Sequence, residues 1–105
     1  MGFDQRAMRD MMKQAQQMQA QMEKAQQNLA EETVEGSSGG GMVTATMTGQ
    51  IELQSITISK DVVDPEDVEM LQDLVLSALK DAIEKAKALQ GDRLGAITGG
   101  MNLPF

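Results

Sequence analysis

Apolar side chains recur at Met8, Met11, Ala15, Met18, Met22, Ala25 and Leu29, alternately three and four residues apart. That spacing keeps one narrow seam aligned along a helix, against which another helix can pack. The positions between are mostly Gln, Lys, Glu and Asn. The pattern predicts helix one over residues 4–31, about 40 Å long at about 1.5 Å per residue, with Met8, Met11, Met18, Met22 and Leu29 as packing positions. A rod of that length outruns a small domain. Its seam is expected to meet either the second helix of the chain or the same helix of another copy, with an ordinary intramolecular core as the plainer reading. Methionine contacts are flexible and polarisable, which suits imperfectly matched surfaces.

The period changes after Glu31. Glu31-Glu32-Thr33-Val34-Glu35-Gly36 brings in β-branched residues and ends on glycine, the pattern of a short strand. Ser37 to Gly41 offers positive φ freely and reads as a hairpin loop. Val43, Ala45 and Met47 then alternate with Thr44, Thr46 and Thr48, the clearest strand in the chain. Gly49-Gln50 is expected to turn tightly into a third strand from Ile51 to Ile58. Its apolar parity slips between Leu53 and Ile56, as a β-bulge near Gln54-Ser55 would produce. Residues 32–58 thus predict a three-stranded antiparallel meander.

Asp64-Pro65-Glu66-Asp67 predicts a helix start, with Asp64 as the cap and Pro65 in the first helical position. Val68, Leu71, Leu74, Val75, Ala78, Leu79, Ala82, Ile83, Ala86 and Leu89 form a wide apolar face suited to covering a sheet. Gly91 is expected to end this second helix, giving it the span 65–90. Residues 91–105 read as a flexible tail dispensable for folding, with Met101, Leu103 and Phe105 available to dock on a partner. The whole is an α+β chain of one domain, 1–105.

Composition sharpens the picture in two ways. The 105 residues hold only two aromatics and no cysteine, so a compact monomer would be thinly packed and no disulfide framework exists. No apolar run approaches the roughly 18 residues that span a bilayer and no signal-peptide core is present, so a soluble cytoplasmic protein without membrane contact is expected. The formal charge is −7, yet charge acts locally, within a Debye length of about 10 Å at 0.1 M salt. Residues 1–30 carry +1, residues 31–58 carry −4, and residues 59–90 another −4. Cations concentrate early in helix one and late in helix two. Arg6, Arg9 and Lys13 share one helical face, read as lying beside the Met seam. Lys24, Lys80, Lys85, Lys87 and Arg93 are candidates to extend the same surface.

Catalysis has little to work with. The chain has no His, Cys, Tyr or Trp, which removes the commonest general base, the thiol nucleophile and the softer metal ligands. The glycine loop lacks the Gly-Lys-Ser/Thr of a phosphate-binding loop, and the acids at 61, 64, 66 and 67 lack the spacing of a calcium loop and read as caps. No enzyme activity, cofactor, metal site or small-molecule substrate is expected.

Met11-Met12-Lys13-Gln14-Ala15-Gln16 with Met18, the stretch from Glu35-Gly36 to Gly41, the run from Leu74 to Ala86, and Ile97 to Pro104 together, in this order, resemble the YbaB/EbfC family of bacterial nucleoid-associated proteins. The resemblance spans nearly the whole chain. It implies an α-β-β-β-α protomer and a tweezer-like homodimer, with sheets at the centre and helices projecting as arms. It also implies association with the nucleoid and binding to double-stranded DNA with little sequence specificity. The competing reading is a dimeric adaptor whose Met-rich groove takes a protein helix or peptide.

Overall fold

The computed structural model describes residues 4–99. Helix α1 (Gln5–Glu31) leads into strand β1 (Thr33–Ser38), a short 3-10 turn (Gly39–Gly41), β2 (Val43–Thr48) and β3 (Leu53–Ile58). A second 3-10 turn (Lys60–Val62) then leads to helix α2 (Val68–Gly99). The strands form an antiparallel sheet in the order β1-β2-β3, the expected meander. Thr46 pairs with Ser55 but Met47 with Leu53, so Gln54 is the extra residue of a bulge. The bulge keeps Leu53, Ile56 and Ile58 on the face shared by Met47, Ala45 and Val43.

The core lies between this face and α2. Val43, Ala45 and Met47 are buried against Ala78, Ala82 and Ala86, which recur every four residues and present almost no side chain. That lets the sheet approach the helix backbone. At Gly36 a Cβ would meet the backbone nitrogen of Ala82 at 2.3 Å and the carbonyl oxygen of Ala78 at 2.4 Å, so no other residue fits there. A core of this kind gains close contact instead of bulk, in keeping with a sequence that has no aromatic residue between Phe3 and Phe105.

Several boundaries differ from the expected ones. The β2–β3 connection is wider than a Gly49-Gln50 turn, and the third strand begins at Leu53. Ile51 stands at φ 63, a strained position for a β-branched residue. Thr48 Oγ1 holds it there, accepting the N–H groups of Gln50 and Glu52 at 3.2 Å each. Helix α2 starts at Val68 and not at Pro65. Asp64 Oδ1 accepts the Glu66 N–H at 2.9 Å in a preceding turn, and Asp67 is the cap, accepting the Met70 N–H at 3.2 Å.

The larger correction concerns the end of α2, which runs through Gly91 and Gly95 to Gly99. Interior glycine costs a helix about 1 kcal/mol relative to alanine. Contact with the foot of α1, where Arg93 pairs with Glu32, and the half-burial of Leu89, Gln90 and Leu94 offset that cost. Residues 91–99 are therefore helix and not tail. Met101, Leu103 and Phe105 lie outside the described residues.

The molecule is elongated. Its Cα radius of gyration is 21.1 Å and its longest dimension 78 Å, against about 13 Å for the radius of a compact domain of this length. Its accessible surface is 7961 Å², where a compact monomer of this mass would expose about 5,700 Å². The longest dimension exceeds either helix, so α1 and α2 are staggered and not fully side by side. No described helix is long and apolar enough to cross a membrane.

Candidate nucleic-acid interface

Helix α1 divides in two. Its C-terminal half is anchored: Ala25 and Leu29 are buried, and Met18 and Met22 are half-buried. Leu29 presses on Gly49, where a Cβ would lie 2.8 Å from the leucine side chain. Residues 4–17 are all exposed, including Met8 at 51% and Met11 at 64%. The seam predicted as one continuous packing surface is used only at its lower end. The upper part stands away from its own domain as an arm, begun by Asp4, whose carboxylate accepts the Arg6 N–H at 3.1 Å. Gln, Met, Ala, Arg and Lys are good helix formers, which favours helix where packing supplies nothing.

The eight candidate cations fall into three groups. Arg6, Arg9, Lys13 and Lys24 are exposed on α1 and have no ion-pair partner among the described residues. At about 100° per residue they lie within about 60° of one another and about 150° from the seam. They therefore occupy the face opposite the seam and not a flank beside it. Arg9 and Lys13, four residues apart, repel each other until an anion lies between them. Lys80 and Lys87 are exposed on α2, about 150° from its alanine stripe, with Asp73 and Glu84 on the same outer side.

Lys85 and Arg93 are engaged within the fold. Lys85 Nζ donates to the Glu35 carbonyl at 3.0 Å and pairs with Asp81 at 3.2 Å. Asp81 Oδ2 accepts the Ser37 N–H at 3.0 Å. The two side chains satisfy an outward N–H and C=O of β1 as a neighbouring strand would, closing that edge of the sheet. The Ser37 N–H, and after it Lys85, hold the Asp81 carboxyl below its ordinary value. Arg93 donates from Nε to Glu32 Oε2 at 3.0 Å and from its terminal nitrogen to Oε1. This fork holds the Glu32 carboxyl below its usual range and raises Arg93.

Glu32 and Asp81 thus matter to the site, although the sequence reading counted them only as acidic charge and gave neither a partner. Their partners lie 61 and 44 residues away, a separation no local pattern reports. One signal was available: Arg93 falls about 20° from the centre of the Ala78, Ala82 and Ala86 stripe once the helix is extended past Gly91.

An arm bearing a cationic row with no ion-pair partner among the described residues can meet a polyanion. The profile of the YbaB/EbfC DNA-binding family matches residues 4–101. The chain belongs to that family. Among YbaB/EbfC relatives, a nucleoid-associated protein of Chloroflexus aurantiacus is 56% identical over 93 residues, covering 89% of this chain and 93% of that protein. A nucleoid-associated protein of Bacillus thuringiensis is 52% identical over 97 residues, covering 92% of this chain and 89% of its own. An uncharacterized protein of Helicobacter pylori has the same fold, with a TM-score of 0.69 at 24% identity over 88% of this chain and 94% of that one. The YbaB/EbfC match takes in both the arm and the extension of α2 beyond Gly91.

Proposed function

We propose that this protein is a nucleoid-associated homodimer that grips double-stranded DNA between its two α1 arms, reading phosphates and not bases. The arm carries the reading: residues 4–17 of α1 are all exposed, yet the helix keeps Arg6, Arg9 and Lys13 in one row with Lys24 below them. Such a row neutralises backbone charge wherever the duplex presents it, which gives affinity with little sequence preference. The acidic remainder of the chain confines attraction to the arms. Lys80 and Lys87 belong to the same surface only if the duplex reaches the outer side of α2.

Dimerisation is supported by the opposite end of the molecule. α2 covers β1 and β2 but leaves β3 open, so Leu53, Ile56 and Ile58 are exposed on what is otherwise the core face. Ile58 continues into an apolar groove with Leu71, Val75, Leu76 and Leu79. Leu76 is 50% exposed and Met70 39%. A contiguous apolar surface of this kind marks an interface, and a second copy is the partner always present. With the β1 edge closed by Asp81 and Lys85, the second copy would join on the β3 side, leaving both arms free.

Titrating a duplex of arbitrary sequence at two salt concentrations tests the reading. Log affinity should fall linearly with log salt, at a slope of about 0.9 per phosphate neutralised. Changing Arg6, Arg9 and Lys13 to Glu should weaken binding to all duplexes alike and flatten the slope while the dimer persists. A triple variant that binds as well as the parent would remove the arm from the site. A parent that binds no DNA at low salt would favour the Met-lined adaptor.

A further inference from the structure

The arm is useful only if it points in a defined direction, and its base is short. Between residue 6 and Ala25, the first fully buried residue of α1, lie about 28 Å of helix steadied only by the half-buried Met18 and Met22, so a tilt of about 10° at the base moves the end of the cationic row by about 5 Å. That exceeds the roughly 3.4 Å between successive phosphates along one strand. The base is held at Leu29 against Gly49, at Gln26, whose carbonyl accepts from Gln50 Nε2 at 2.8 Å, and at Glu32. Glu32 is the junction itself. It caps α1 in extended conformation at φ −78 and ψ 143, its N–H returns to the Asn28 carbonyl, and its own carbonyl accepts the Gly49 N–H.

The charge at this junction is unfavourable without help. The last turn of α1 contains no base, while Glu31 and Glu32 sit at the end where the helix dipole is already negative. Arg93 is the cation in a polar recess it forms with Asn28, Glu31 and Glu32. It arrives there because α2 continues through Gly91 on the line of the alanine stripe.

We propose that the Arg93–Glu32 pair is a clasp that sets the direction of the DNA-gripping arm, making Arg93 a positioning residue and not a phosphate contact. The fork of a guanidinium on a carboxylate fixes orientation as well as distance, which a lysine at this site would not do. It joins the foot of α1, on which the arm stands, to the one helix that also carries the sheet. This inference rests on the arm being the DNA-binding element, and the test separates the two claims.

The chain has no cysteine, so cysteines placed at the exposed Gln14 and Asp73 take spin labels at two sites only. Labelled protein diluted into unlabelled protein reports the distance from arm to α2 within one chain, without DNA. The parent should give a narrow distribution; Arg93→Ala and the isosteric Glu32→Gln should broaden it. The exchange Glu32→Arg with Arg93→Glu should narrow it again. DNA affinity should follow, falling about tenfold or more in the single variants and returning to within about twofold of the parent in the exchange. A distribution still narrow in Arg93→Ala overturns the clasp. A loss of DNA binding without broadening also overturns it, by making Arg93 a phosphate contact. A parent that binds no DNA ends the DNA reading, while the distance measurement still decides the clasp.

Discussion

The two helices carry the same kind of apolar stripe and put it to opposite uses. On α2, Ala78, Ala82 and Ala86 are fully buried beneath a sheet that reaches their backbone. On α1, the stripe is buried at Leu29 and Ala25, half-buried at Met22 and Met18, and exposed from Ala15 to Met8. The difference lies in side-chain size and in what lies opposite. Alanines facing Gly36 let two surfaces approach until their backbones touch, so that contact is unique and intolerant of change. Methionines facing solvent specify no neighbour, and the helix there is maintained by propensity and by its anchored end. One region stores the stability of the protomer; the other is a lever built upon it.

That contrast is broken most strongly at Gly36. Gly36→Val forces a side chain into the backbone of Ala78 and Ala82, and overpacking of this kind costs about 3 kcal/mol or more where neither side can retreat. Urea unfolding should record a large drop in midpoint, or no folded protein. Met11→Ala on the arm should change stability by less than about 0.5 kcal/mol, as exposed substitutions do. Comparable losses at the two positions would mean that the arm is packed in solution.

Between these extremes lies the open face of β3. Ile58→Asp with Leu76→Asp places two charges where each protomer alone leaves the side chains partly exposed, at 38% and 50%. The protomer should fold, but an interface that buried those charges unpaired would lose several kcal/mol. Sedimentation should then report one chain mass where the parent reports two. A variant still at twice the chain mass would place the interface elsewhere, with the exposed Met8 and Met11 as the next surface to examine.

Much of this architecture is legible in the sequence because it is periodic. Both helices, the Thr-alternating strand and the bulge at Gln54 follow from spacing alone. The misses share a cause: each is decided by a contact distant in sequence. Ile51 is held at positive φ by a threonine hydroxyl, a conformation that its own preferences oppose. Gly91 reads as a stop signal, but contact with the foot of α1 carries the helix past it. Arg93, read as a candidate extension of the cationic surface within a flexible tail, is held by Glu32. Even the position of Arg6, Arg9 and Lys13 opposite the seam, and not beside it, follows from the helical angle. Position on a helix face is sequence information; the partner that occupies that face is not.

The smallest expected effect concerns two carboxylates, Glu32 at the junction of the two regions and Asp81 on α2 against the β1 edge. Glu32 and Asp81 both have lowered pKa values in the folded protein, through the Arg93 fork and through the Ser37 N–H with Lys85. A carboxyl whose folded value lies below its unfolded value binds more protons when unfolded, so it adds stability above the ordinary carboxylate range of about 4. That stability is lost as the pH falls through the lowered folded values. Glu32→Gln with Asp81→Asn should therefore be modestly less stable than the parent at neutral pH, and the gap should close on acidification below about pH 4. Asp81→Asn alone should lose less than its pairing suggests, because an amide oxygen can still accept the Ser37 N–H. Both pairs are solvent-exposed, so added salt should narrow the gap as well. A gap independent of pH would assign the loss to packing. A gap that widens in acid would reverse the sign and show that neither carboxylate is held in its charged form by the fold.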